Sequence, residues 1–170
     1  MGDFLAVKGF YVDLEIVNAD GTIASRSRET NKIPDDSLAF LMQAPFGDVS
    51  AVSTFYCGLF RGNYIPSGAT AAADIPSNMI EFVDYSESVR PTWQRAFDNA
   101  ATMDNVLNRA SYTVTQDRTL YGSFIVSDST KGGNTGLLLS CCRFSTAKQV
   151  SAGQTINLQT GLTYVPTSAL

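Results

Sequence analysis

The chain has 170 residues, 44% apolar and only 16% charged, with no histidine and a formal net charge of −4. That length suits one domain with a sizeable core, and the balance excludes a wholly disordered chain. The acid excess leaves no basic footprint for nucleic acid, and the missing imidazole removes the usual general base and the commonest metal ligand. No catalytic residue, cofactor or metal site is therefore expected.

Residues 8–17 alternate strictly: Phe10, Val12, Leu14 and Ile16 on one face, Tyr11, Asp13 and Glu15 on the other. This is the pattern of a half-buried antiparallel strand. Asn18 to Gly21 supplies a turn with a strong Asp-Gly hairpin signal. The return strand, 22–30, is polar apart from Ile23, and is expected at a sheet edge. Residues 34–46 predict the one short helix, capped by Asp35 or Asp36, with Leu38, Leu41 and Met42 at helical spacing and Pro45 and Gly47 as stops. Asp3, Lys8 and Asp13 interrupt the opening apolar residues, so no signal peptide is expected, and no apolar run is long enough to span a membrane.

Residues 51–61 predict a buried strand rich in aromatic and β-branched residues. The following connection, 62–78, holds Pro66, Gly68, Pro76 and a run of alanines. A structureless loop of that length is unusual, so it reads either as an excursion held down by its neighbours or as an arm reaching another subunit. Glu81, Asp84 and Glu87 fall in a loosely alternating stretch, 79–97, and read as solvated acids. Trp93, the one tryptophan, reads as a core anchor, with an interface role as the alternative. Residues 97–109 give no clear element.

The last third is β in character. Tyr112 and Val114 alternate with threonines, Asp117 and Arg118 make a turn, and Leu120, Gly122, Phe124 and Val126 share one face of the next strand. Residues 137–144 are apolar on both faces, which predicts a central strand. Ile156, Leu158, Leu162 and Tyr164 then share a parity, and Pro166 ends the strand. Cys57, Cys141 and Cys142 read as small buried hydrophobes; adjacent cysteines on a strand point to opposite faces, and the set is poor for zinc. The expected fold is all-β: an antiparallel β-sandwich of about seven to nine strands with one short N-terminal helix. Residues 1–50 form a strand pair and helix that pack on or extend from a sandwich domain at 51–170.

The order of motifs carries a resemblance. Tyr56-x-Gly58-Leu59-Phe60, Gly62-Asn63-Tyr64-x-Pro66, Asp84-Tyr85 and Arg90-Pro91-x-Trp93 come first. Asn108 to Tyr112, Leu120-Tyr121-Gly122-x-Phe124, Gly132-Gly133-x-x-Gly136-x-Leu138, Arg143-Phe144 and Val150-x-x-Gly153 follow. Over about residues 50–165 this resembles small β-sandwich virion proteins of tailed bacteriophages, of the tail-fibre, minor-tail or head-associated type. Cys141-Cys142 departs from the small alanine-like residues expected there. The resemblance implies a non-enzymatic virion subunit, assembled in the bacterial cytoplasm, at the head, the head–tail junction or the tail. Its partners would be other virion proteins and copies of itself, with neither nucleic acid nor membrane involved. The contact residues expected are Phe10, Tyr11, Arg26, Arg28, Tyr64, Ile65, Pro66, Tyr85, Trp93 and Val165. The alternative is a tail-fibre module that binds bacterial surface glycan, stacking sugars on exposed Tyr64, Tyr85 and Trp93.

Overall fold

The computed structural model describes the backbone of residues 5–166 and the side chains of residues 9–164. Among these residues nine strands form two antiparallel sheets, with one short α-helix. Strand β1 (Leu5–Val17) sits between β2 (Ile23–Thr30) and β9 (Thr155–Pro166). The far side of β9 carries β5 (Thr102–Asp104), itself paired with β4 (Ala96–Phe97), and also β6 (Ala110–Thr113). The second sheet runs β3 (Tyr56–Phe60), β7 (Arg118–Val126), β8 (Leu138–Val150).

Alternation in β1 and β9 determines what faces what. Phe10, Val12, Leu14 and Ile16 are 1–3% exposed and join Ile156, Leu158 and Leu162 in one core. From the second sheet that core receives Cys57, Leu59, Leu120, Ile125, Cys142 and Phe144. Each Val, Leu, Ile or Phe among them contributes about 1.5–3 kcal/mol on burial. Trp93 lies among them, 6.0 Å from Phe10 and 6.4 Å from Phe55 between ring centroids, and its indole N–H donates to the Thr160 carbonyl at 3.0 Å. Between β5 and β6 the Asn105 side chain stands in for a missing strand backbone. It accepts from the Thr160 N–H at 2.7 Å and donates to the Leu158 carbonyl at 3.1 Å.

A second cluster covers the outer face of the three-stranded sheet. The 62–78 connection, with Met79 just after it, folds back over that face and buries Ala72, Ile75 and Met79 against Phe60, Phe124, Val126, Leu138 and Cys141. Its excursion is thus held down by its neighbours and includes a π-helical turn, Ile75–Met79. This explains the two apolar faces of β8, which is not central as expected: β7 is, and β8 is covered on both faces. Cys141 and Cys142 fall in different clusters, one per face.

Several local expectations change. Helix α1 (Asp35–Gln43) stops short of residue 46, giving way to a 3-10 turn (Ala44–Phe46) closed by Gly47 at φ 82°. Its N-cap is Pro34, without a side-chain cap bond. Asp35 and Asp36 instead lie in the first turn, where negative charge suits the helix dipole, and the Asp35 N–H is satisfied by the Gly68 carbonyl. The helix docks through Ser37, whose hydroxyl donates to the Leu138 carbonyl, leaving Leu38 and Met42 43% and 68% exposed. The strand expected over 51–61 is confined to Tyr56–Phe60, the positions that β7 pairs. In β7 the register shifts between Leu120 and Gly122, opposite an excursion of β8 at residues 144–147. That shift puts Leu120 in the inter-sheet core and Phe124 and Val126 on the other face, so the four do not share one face.

Glu81 is not solvated either. It is 4% exposed and holds Arg90, itself fully buried, through two hydrogen bonds of 2.8 Å. Arg90 also donates to the carbonyls of Asp128 and Gly133, each at 2.8 Å, while Gly132 N–H donates to Glu81. Lys131 Nζ donates to the Tyr85 and Glu87 carbonyls and sits 3.8 Å from the Tyr85 ring centroid. The loop between β7 and β8 is thereby clamped onto residues 81–90.

Candidate interaction surface

The strand edges are treated unequally. Residues 80–93 run along the outer side of β3, with Phe82 N–H donating to Leu59 and Cys57 N–H to Pro91. Residues 84–86 cover β6 in the same way, through Ser86 N–H to Thr113 and Thr115 N–H to Asp84. Lys32 exchanges both backbone bonds with Cys141 on β8, and the excursion at 144–147 interrupts that edge further on. On β2, by contrast, the outer side of Arg26 and Arg28 makes no backbone hydrogen bond among the described residues, and its pairing with β1 is regular from Ser25 to Thr30. β8 closes on the C-terminal end of the strand, through Lys32 to Cys141 and through Ser145 Oγ, which donates to Glu29 at 2.8 Å.

The outer face of the larger sheet is polar and cross-linked. Arg28 donates to both oxygens of Asp13 at 2.6 Å, and its guanidinium lies 5.1 Å from the Tyr11 ring centroid. Arg26 pairs with Glu15 at 2.7 Å, and Arg109 approaches the same carboxylate at 3.7 Å. Those donors, Arg26 above all, hold the Glu15 carboxyl below its usual range. Tyr11 stacks over Gly161 and donates to Asp104 at 2.6 Å. Burial, then the Asp104 hydrogen bond, pushes the Tyr11 phenol up to about 12. Two shallow hollows flank Arg28: one of about 340 Å³ lined by Asp13, Glu15, Arg26 and Arg109, the other of about 400 Å³ lined by Tyr11, Thr102 and Asp104. Exposed ion pairs of this kind are worth about 0–1 kcal/mol each. They therefore orient the side chains more than they stabilise the fold.

Of the expected contact residues, the structure brings Tyr11, Arg26 and Arg28 together on this face. Tyr64, Ile65 and Pro66 lie elsewhere, on the connection over the smaller sheet, where Ile65 is 74% exposed and Tyr64 is half-buried, its hydroxyl 3.0 Å from Thr70. Phe10, Tyr85 and Trp93 are corrected: they are 2–3% exposed, because their strand parity or backbone pairing turns them into the core. Two of the three rings proposed to stack on sugars are therefore internal. Val165 falls outside the described side chains. Arg109, Asp104 and Gln159 belong to the face but were missed. They come from 93 to 148 residues away from Tyr11, and the sole sequence signal was the polar parity of residues 155–159.

Among the described residues no helix is long and apolar enough to cross a membrane, and no three His, Cys, Asp or Glu side chains gather as a metal-binding group. No family model matches the chain, and no curated protein matches it.

Proposed function

We propose that this chain is a non-enzymatic structural subunit of a tailed-bacteriophage particle, a β-sandwich brick that binds neighbouring virion proteins and copies of itself. The observation that carries the reading is the regular edge of β2, open at Arg26 and Arg28, beside a polar face with fixed charges. Rigid two-sheet bodies with one pairing-ready edge suit repeated assembly, since an added strand gains main-chain hydrogen bonds without rearranging the body. The resemblance of the motif order to that of small phage virion proteins is the second ground for the same class. Such a subunit would stand at the head, the head–tail junction or the tail, in a particle assembled in the bacterial cytoplasm. Contacts burying roughly 800 Å² per partner would hold, and repetition on a particle would add avidity.

The test is a high-resolution map of particles released from cells that make this chain, with peptide mass fingerprinting of the same particles. Density for the chain at a symmetric station is the expected result. Absence from the particles, with the purified chain monomeric at high concentration, would refute the proposal.

A further inference from the structure

The geometry of β2 also says what kind of segment its edge accepts. Asn31 N–H donates to the Phe10 carbonyl at 2.8 Å, and antiparallel ladders alternate from there. Ser25, Ser27 and Glu29 therefore turn their backbone groups to β1, while Arg26, Arg28 and Thr30 turn theirs outward. The outward positions are the ones whose side chains stand on the polar face. Beyond Thr30 that side meets β8, where Lys32 bonds Cys141 and Ser145 donates to Glu29, so the open part of the edge is the N–H and C=O of Arg26 and Arg28, in register with their own guanidiniums.

Those guanidiniums are only half engaged. Arg28 uses Nε and Nη2 on Asp13, and Arg26 uses the same two nitrogens on Glu15. In each, Nη1 makes no hydrogen bond among the described residues, and the side chains are 66% and 69% exposed. A planar guanidinium held on one side by a carboxylate keeps donors free for a second. Arginines often guard an edge strand against pairing; here they are drawn back over their own sheet.

We propose that β2 accepts an extended segment of a different chain, one carrying two carboxylates at alternate positions, opposite Arg26 and Arg28. Main-chain bonds would supply the docking and the two acids its register. A second copy of β2 fits less well. A two-fold axis normal to the sheet would set Arg26 and Arg28 against the same cations of the copy, and like charges directly opposite repel. The inference deepens the subunit reading by naming the neighbour's chemistry, yet its test does not depend on any particle.

The probe is a capped synthetic peptide, Thr-Val-Thr-Glu-Val-Glu-Thr-Val-Thr, titrated into the full chain and followed by amide NMR and hydrogen exchange. Shifts and added protection confined to Arg26, Arg28, Thr30 and their neighbours are expected. The peptide with both Glu replaced by Lys should bind about tenfold or more weakly. N-methylation of the alternate amides that face β2 should abolish binding, and so should Arg26→Pro, which removes an outward N–H together with one of the two guanidiniums while sparing the backbone bonds to β1. The peptide variants keep the test decisive if Arg26→Pro does not fold. Equal binding of the acidic and basic peptides, no change at the β2 amides, or a dimer through β2 that Arg26→Pro dissociates would each overturn the proposal. Peptide failure with the chain present in particles would leave the subunit reading standing on other contacts. Peptide binding with the chain absent from particles would leave an acidic-strand acceptor of another kind.

Discussion

Replacing Arg90 by methionine should cost roughly 3–5 kcal/mol, because it leaves the Glu81 carboxylate buried without its partner. The structure sets the scale. Arg90 has no solvent exposure and makes four hydrogen bonds of 2.8 Å, two to Glu81 and one each to the Asp128 and Gly133 carbonyls. Truncation orphans Glu81 Oε1 and both loop carbonyls and leaves Oε2 with the Gly132 N–H alone, so the loss reflects stranded charge more than the net worth of the pair. Urea unfolding with an unchanged m-value should report it, alongside a fall in Tm of roughly 6–20 °C for a chain of this size. The amide of Gly132, which donates to Glu81, should lose exchange protection. The double variant Arg90→Met with Glu81→Leu should recover part of the stability, since the stranded carboxylate is gone while the loop carbonyls remain unpaired. A cost below about 1 kcal/mol for Arg90→Met, or a double variant no better than that single one, would refute the reasoning.

Three further outcomes follow from particular contacts. Gly122→Ala places a Cβ 2.0 Å from the Cys142 carbonyl oxygen and 2.1 Å from the Phe60 ring, so chemical denaturation should show a loss of about 3 kcal/mol or more. Tyr11 keeps its proton in the folded state to about pH 12, whereas the unfolded phenol releases it near pH 10. The unfolded state then binds fewer protons in that window, so stability falls as pH rises through it. Tyr11→Phe should remove part of that slope in unfolding curves taken from pH 9 to 12. Cys57, Cys141 and Cys142 are buried and free, and desolvation pushes the last two up to about 12. Native protein should therefore resist a thiol-specific reagent at pH 8, all three reacting only in denaturant; rapid native labelling would contradict that burial.

Period-two burial made much of the larger sheet legible. Phe10 to Ile16 and Ile156 to Leu162 are oriented by alternation alone, and the polar 23–30 segment takes the edge that its composition indicates. What stayed hidden depends on tertiary coverage. The two apolar faces of residues 138–142 come from the fold-back of residues 72–79, a partnership that no local pattern encodes. A register shift at Leu120 reverses the faces of β7, and the buried Ser37 hydroxyl, with Phe40 and Leu41 packed on the core, sets which side of α1 is turned inward. Glu81 looks like any surface acid until Arg90 is placed against it by the chain running along β3. At the candidate surface Tyr11, Arg26 and Arg28 could be anticipated from neighbouring strands, whereas Arg109 and Asp104 reach them only because β9 gathers β5 and β6 on its far side.

The pairing of β1 with β9 has a consequence for synthesis. Leu5 lies opposite Pro166 and Val17 opposite Thr155, so the spine of the larger sheet joins stretches separated by more than a hundred residues. On the ribosome the first strand must wait, apolar face unsatisfied, until the last one emerges. The smaller sheet, whose three strands all lie between residues 56 and 150, can form earlier and offer it a provisional surface. Maturation of this chain should accordingly be slow, late and sensitive to chaperone supply, with stalled nascent chains trimmed before residue 155 unable to protect the strand that was made first.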